Sequence, residues 1–399
     1  MKKRFYIATL SAIMLTACSG DDDVAGNAKH IPIELSDVEQ TVNTAQKEFA
    51  FNFFNQVCLN SDEPNVITSP FSASMALSML ANGADGATLS QFKRVIGCSD
   101  IESLNQLNRK FSDRLPLMDN RVTLSIGNSV WLDKNYTATD VYVCTMRQIY
   151  NADVKETELS SIEAMNTINS WCSRKTSGLI DRFLDEPLKK SCHLFVANAL
   201  YFNGKWSKAF RKVKPGKFNN ADGTVSTIDM MTDEINVGHS KYGDYEAISI
   251  PYGNGSYNML VIMTSEGLPN DNIDYDTYKG LRSAMPGMGA IVSMPKFTVN
   301  QKFDIMASLT AMGLTDAFDE AKANFTGLSD NRLSLGGMQQ AIYLNVTENG
   351  TEAAAVTGNG DPTSPGIEPK AFFVNRPFVF LIEEQSTGAV LFMGRINKL

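Results

Sequence analysis

The chain has 399 residues, 43% hydrophobic and 20% charged, with a formal net charge of −8. Length and composition are those of a globular protein that can bury a full core, in one large domain or two smaller ones. The acidic balance, with no Lys/Arg stripe along the sequence, argues against nucleic acid as a partner.

The N-terminus reads as a targeting segment. MKKRF is a positive start, and YIATLSAIML is an apolar run too short for a comfortable membrane span. It ends in LTAC, which resembles the lipobox of bacterial lipoproteins, with Cys18 as the lipidated residue. On this reading residues 1–17 are a signal peptide and residues 18–35 a lipidated Cys and polar tether. Residues 36–399 form a single domain. The acidic SGDDD after Cys18 favours the outer face of the outer membrane over the periplasmic face. Loss of Lys2, Lys3 and Arg4 takes the net charge from −8 to −11. The remaining Cys58, Cys98, Cys144, Cys172 and Cys192 are odd in number, widely spaced and without a CxxC. They read as buried, unpaired thiols, and their spacing gives no metal site.

Along the domain, Val38 to Cys58 has apolar residues at helical spacing. NVIT is a short strand, and Ser69-Pro70 caps a helix of small residues that stops at Asn82-Gly83. RVTLSIGNSVWLDKN is a strand, and ELSSIEAMNTINSWCSRKTSG is a helix with its stop at Gly178. CHLFVANALYFNGKW is a buried strand running into a turn at Asn203-Gly204. VSTIDMM, YEAISIPY and YNMLVIMTS are successive antiparallel strands, and MGAIVSMPKFTVNQ is one long strand. FDIMASLTAMG is a helix ending at Gly313. LGGMQQAIYLNVTENG is a strand, and two or three strands close the chain. Helices come first and antiparallel strands follow, the order of an α+β fold rather than a βαβ series.

No catalytic constellation stands out. His30, His193 and His239 are isolated, and the chain lacks a nucleophile elbow, HExxH, P-loop and dinucleotide fingerprint. Glu383 and Glu384 adjoin in a strand and point to opposite faces.

NVITSPFSASMALSML, FVANALYFNGKW, ISIPY, SMPKF, ENGTEAAAVT and NRPFVFLIEEQSTGAVLFMGRI, in this order, resemble the signatures of the serpins from about Val38 to Leu399. The resemblance implies three β-sheets, eight or nine helices and an exposed reactive-centre loop, here about residues 350–371. It implies an irreversible suicide-substrate inhibitor of serine, or cysteine, endopeptidases rather than an enzyme. The protease cuts the loop and is held as an acyl-enzyme. The freed limb then inserts into the central sheet, releasing strain stored in a metastable fold; serpin loop insertion is itself a standard example of that release. No cofactor or metal is implied. The partners are the protease, covalently bound, and the membrane through the lipid on Cys18. The chain is expected to be a monomer.

The same resemblance assigns Ser69, Ser72, Asn198 and Gln340 to the shutter, where the sheet opens, with Gln340 in place of a frequent His. It assigns Trp206 to the breach at the top of the sheet. The hinge comprises Glu348, Gly350, Thr351, Glu352, Ala353, Ala354, Ala355, Val356 and Thr357. Its residues can also be tested directly. An inserted strand buries alternate side chains. One face would receive Thr351, Ala353, Ala355 and Thr357, all small and uncharged; the other would receive Glu352, Ala354, Val356 and Gly358. A charge in the first set would oppose insertion. Asn359, Asp361 and Pro362 would weaken it beyond Gly360.

The scissile bond stays open. Counting from Gly350 gives Ser364-Pro365, and counting back from Asn375-Arg376-Pro377-Phe378 gives Gly366-Ile367, with Thr363-Ser364 also a candidate. No Arg or Lys lies between Gly350 and Glu368, so elastase-like or subtilisin-like targets fit better than trypsin-like ones. A non-inhibitory serpin-fold binding or scaffold lipoprotein is the alternative. A glycan-binding lipoprotein and an enzyme rank below it.

Overall fold

Ser36 opens the first helix with a capping box. Its hydroxyl accepts from the Glu39 amide at 3.3 Å, and the Glu39 carboxylate accepts from the Ser36 amide at 2.8 Å. The computed structural model describes residues 30–265, 273–351 and 370–399. The expected signal peptide, Cys18, hinge residues 352–357 and bond candidates 363–367 therefore lie outside the described residues. The packed chain begins ahead of Ser36: Ile33 is buried and its amide donates to Ser386 Oγ, so the last part of the supposed tether lies against the domain.

In chain order the elements are α1 (Asp37–Leu59), β1 (Asn65–Thr68), α2 (Pro70–Gly83), α3 (Gly86–Ile96), α4 (Ile101–Arg114), β2 (Val122–Asp133), α5 (Asp140–Tyr150), β3 (Asp153–Thr157), α6 (Ile162–Lys175) and β4 (Leu194–Lys205). There follow β5 (Lys212–Asn219), β6 (Val225–Tyr242), β7 (Tyr245–Tyr252), β8 (Tyr257–Thr264), α7 (Tyr275–Ser283), β9 (Gly287–Pro295), β10 (Phe297–Asp304) and α8 (Met306–Ala311). The last are β11 (Leu335–Thr347), β12 (Gly350–Thr351), β13 (Lys370–Phe373), β14 (Phe378–Glu384) and β15 (Val390–Ile396). Lys370 and Ala371, assigned to the loop from sequence, stand in β13.

Among the described residues these strands pair into two sheets. One has six strands in the order β10-β11-β12-β4-β2-β3. The other has the path β1-β15-β14-β8-β7-β6-β9-β13, with β5 on β6. Two of the three expected sheets are joined through β6, which is 18 residues long: its first part pairs with β5 and β9, its last part with β7. The single strand expected over MGAIVSMPKFTVNQ is two. β9 belongs to the larger sheet and β10 to the smaller, with the chain crossing at Lys296. The helix expected from Phe303 starts only at Met306, since Phe303 and Asp304 still pair with β11. No turn occurs at Asn203-Gly204, because β4 continues through both. Gly204 is there for space: a Cβ would lie 2.8 Å from the Phe202 ring.

The main core lies between the sheets and α1–α5, with Phe49, Phe53, Phe54, Leu77 and Leu80 all within it. A smaller core of Trp131, Trp171, Phe183 and Phe195 lies under α6. Leu194, Val196, Leu200 and Phe202 of β4 face the first, and Phe195, Ala197 and Ala199 face the second. β4 is thus buried on both faces, as a central strand must be, and its run of apolar residues reflects it.

Candidate functional site

The smaller sheet is zipped over half of β4 at its centre. β4 and β11 run parallel and pair from Leu335↔Leu194 to Ala341↔Ala199, with an irregularity between Leu335 and Gly337. Parallel ladders are the less stable kind per residue. Above Ala341 the two strands part. There β12 stands between them, antiparallel to both: Gly350 opposes Thr347 and Lys205, and Thr351 opposes Val346 and Gly204. Among the described residues, 342–345 of β11 have no partner in β4. The outer sides are firmly held, β4 by β2 along Val122–Leu132 and β11 by β10 along its length.

Gly350 and Thr351 fit this wedge for different reasons. Gly350 has φ +145°, and a Cβ there would lie 2.1 Å from the Gly204 carbonyl oxygen. Only glycine tolerates both. Thr351 is fully buried, and its Oγ1 is 2.7 Å from the Tyr252 hydroxyl. Burial pushes the Tyr252 pKa up, so this hydroxyl stays neutral. The Tyr252 ring stacks on Trp206 at 4.3 Å between centroids. Trp206 Nε1 donates to the Thr347 carbonyl at 2.9 Å, and its amide donates to the Asn349 carbonyl at 3.0 Å. The Phe210 amide donates to Glu348 O at 2.8 Å. The Glu348 carboxylate takes a 2.7 Å contact from Lys296, which holds its pKa below the usual carboxylate value. Trp206, Glu348, Gly350 and Thr351, singled out from sequence, thus come together at one end of the β4–β11 seam. Tyr252 and Lys296 complete the group. Tyr252 lay within a quoted signature, ISIPY, but nothing local connects it to Thr351.

Three of the four shutter residues, Ser69, Ser72 and Gln340, are bonded together, and Asn198 stands apart. Ser69 caps α2, its hydroxyl accepting from the Ser72 amide at 3.2 Å and donating to Leu391 O at 2.7 Å. Gln340 accepts from the Ser69 amide and donates to the Ser69 carbonyl, both at 2.9 Å. Asn198 instead donates to Asn128 Oδ1 of β2 at 2.5 Å, and Asn128 donates to Tyr150 O. Asn198 and Gln340 are direct partners in the register, yet each is fastened away from the seam. Asn198 Oδ1 and Ser72 Oγ are buried without a hydrogen bond among the described residues. An orphaned buried acceptor costs about 1–3 kcal/mol. Asn128 was missed from sequence; an Asn inside a strand run was its signal.

The other candidates have structural partners. Glu383 meets Tyr278 at 2.7 Å and Arg282 at 3.3 Å, whereas Glu384 is bonded by Ser386 and Thr387. Among the described residues Cys58, Cys98, Cys172 and Cys192 are buried and Cys144 is exposed, and none forms a disulfide there. No cluster of metal-ligating side chains occurs among the described residues, and no helix there is long and apolar enough to cross a membrane.

The family profile described as Serpin (serine protease inhibitor) matches residues 44–399. Iripin-2 of Ixodes ricinus is 29% identical over 353 residues, covering 84% of this chain and 88% of that protein. The native-state structure of the thermophilic serpin tengpin is 27% identical with a TM-score of 0.79, covering 93% of this chain and 98% of that one. Human thyroxine-binding globulin with its thyroxine shares the fold at 23% identity and a TM-score of 0.81, covering 90% of this chain and 99% of that one.

Proposed function

The chain belongs to the serpin family, and we propose that it is an inhibitory member: a bacterial lipoprotein that traps serine or cysteine proteases of small-residue specificity by loop cleavage and insertion. The observation that carries this reading is β12, two residues of the loop's first limb already seated antiparallel between β4 and β11. Continuing its register after cleavage puts Ala353 between Leu344 and Phe202, and Ala355 between Ile342 and Leu200. Small residues then meet large ones on the main-core face. Val356 falls between Ala341 and Ala199 at the smaller core, and Glu352 between Asn345 and Asn203, outside both cores. Thr357 falls between Gln340 and Asn198, where its hydroxyl is placed to donate to the orphaned Asn198 Oδ1. Residues up to Ala355 fill the open gap, and from Val356 on each added residue exchanges a parallel seam for two antiparallel ladders. Nothing in the hinge obstructs this, and on this reading Ser69, Ser72, Asn198, Gln340 and Trp206 control the opening.

The lipobox ending in Cys18 and the following SGDDD support anchoring at the outer membrane, surface-exposed, with one domain beyond the tether. The absence of Lys and Arg from the loop before Lys370 supports elastase-like or subtilisin-like targets, cutting among Thr363 to Ile367. The likeness to thyroxine-binding globulin supports a non-inhibitory binding protein as the second reading.

A panel of proteases separates the two. The mature chain is expected to form an SDS-stable adduct with an elastase-like enzyme. Mass measurement of the released C-terminal peptide should place the cut between Thr363 and Ile367. Cleavage chiefly after Lys370 would remove the small-residue specificity, and cleavage by every enzyme without adduct would leave the binding-protein reading.

A further inference from the structure

RKVKPGK, residues 211–217, is a short basic run, and three of its lysines line one cavity. Lys212, Lys214 and Lys217 of β5 line a depression of about 420 Å³, with Met230, Ser293 and Phe373 among its other walls. It spans four adjacent strands: Lys212 opposes Thr232, Thr232 opposes Ser293, and Ser293 opposes Phe373 of β13. Thr232 Oγ1 donates to Ser293 Oγ at 2.9 Å across its centre. Phe373 is 55% exposed, an apolar ring at the rim. Among the described residues none of the three lysines pairs with a carboxylate. The nearby Asp233 is already engaged by Arg211 at 2.8 Å and Lys208 at 3.7 Å. A chain of net charge −8 thus lines one small hollow with three lysines that meet no carboxylate among the described residues.

Its position identifies the occupant. β13 is the strand into which the reactive loop returns. Seven residues separate Gly366 from Phe373, at most roughly 24 Å of extended chain. A standard protein interface covers about 800 Å² per partner, on the order of 30 Å across, so the cavity lies at the margin of the surface within reach of a protease held at the loop. We infer that the cavity is a secondary docking site for an acidic surface segment of the target protease, with a small apolar side chain against Met230 and Phe373. This rests on the inhibitory reading for the identity of the partner, though not for the existence of the site. A long polyanion would call for an extended charged track, whereas this hollow is compact, with hydroxyls and apolar walls. Charges so placed raise the encounter rate more than they stabilise the complex.

The test uses the full mature chain in its native, uncut form and fluorescein-labelled hexa-aspartate as probe. Saturable binding is expected. It should weaken about tenfold in K212E/K214E/K217E, and by a similar factor between about 0.05 M and about 0.3 M NaCl. K214Q/K217Q serves if the charge reversal does not fold. Absence of saturable binding, or equal binding by the variants, overturns the proposal. So does a heparin hexasaccharide of equal charge binding more tightly than the peptide, which would assign the cavity to polysaccharide. No protease enters this measurement, so failure to form an SDS-stable adduct would count against the inhibitory reading alone. With an adduct-forming protease, the triple variant should lower the association rate about tenfold while leaving the inhibitor:protease stoichiometry unchanged.

Discussion

Thr351→Arg is expected to give a chain that folds and is cut in its loop, yet lets the protease go. Thr351 is fully buried between Val346 and Gly204, and among the described residues its side chain's polar contact is the neutral Tyr252 hydroxyl. A guanidinium there has no carboxylate to meet and must either stay outside the sheet or enter it unpaired. An unpaired buried charge costs at least several kcal/mol. Inhibition is a race between insertion and hydrolysis of the acyl bond. A barrier raised by about 3 kcal/mol slows insertion roughly a hundredfold. The stoichiometry, near one protease per inhibitor in the parent on this account, should rise at least about tenfold, with cleaved chain replacing adduct on an SDS gel. Thr351→Ser keeps the hydroxyl and the small volume and should behave as the parent. Unchanged adduct formation by the Arg variant would mean that this position need not enter the sheet.

The second large effect is a gain of heat stability on cleavage. A protease that cuts the loop without being trapped leaves the hinge free to insert. About ten net hydrogen bonds at about 1 kcal/mol each give roughly 10 kcal/mol. For the span 44–399, about 2.1 cal/mol/K per residue makes the unfolding entropy about 0.75 kcal/mol/K, so the midpoint should rise by roughly 13 °C. Scanning calorimetry of the cut and uncut chains reads this directly. A cut chain that melts at or below the intact one would place the loop outside the sheet.

Much of this was legible locally. Ser69-Pro70 wrote the start of α2, Gly350 the backbone freedom of the wedge, and the alternation of small residues after it a strand that expects burial. Helices α3 and α4 were legible too and were passed over: Asp85 and Asp100 cap them, Gly97 ends α3 in the left-handed conformation, and Ile101, Leu104, Leu107 and Phe111 mark one face of α4. What no local pattern carries is register. Tyr252 meets Thr351 across 99 residues, and Asn198 turns to Asn128 across 70. The partition of MGAIVSMPKFTVNQ between two sheets depends on which neighbours each half finds, since both halves have strand composition. Gly204 looked like a turn because glycine marks turns, but here it marks close approach by Phe202 and Tyr252. The resemblance assigns Ser69, Ser72, Asn198 and Gln340 to the shutter, and all four are buried. That Ser69, Ser72 and Gln340 hold together while Asn198 turns to Asn128, both away from the seam, appears only once Gln340 is seen to spend both its amide groups on Ser69.

Hydrogen exchange across the β4–β11 seam tests the central claim most directly. In the uncut chain, the amides of 342–345 that do not face β10, and those of 200–203 that do not face β2, have no strand beside them among the described residues. Loop cleavage should place the strand from Glu352 to Ala355 against them, and their exchange should slow by orders of magnitude while that of β14 and β15 stays as it was. Unchanged exchange at 342–345 and 200–203 after complete cleavage would contradict insertion between these strands.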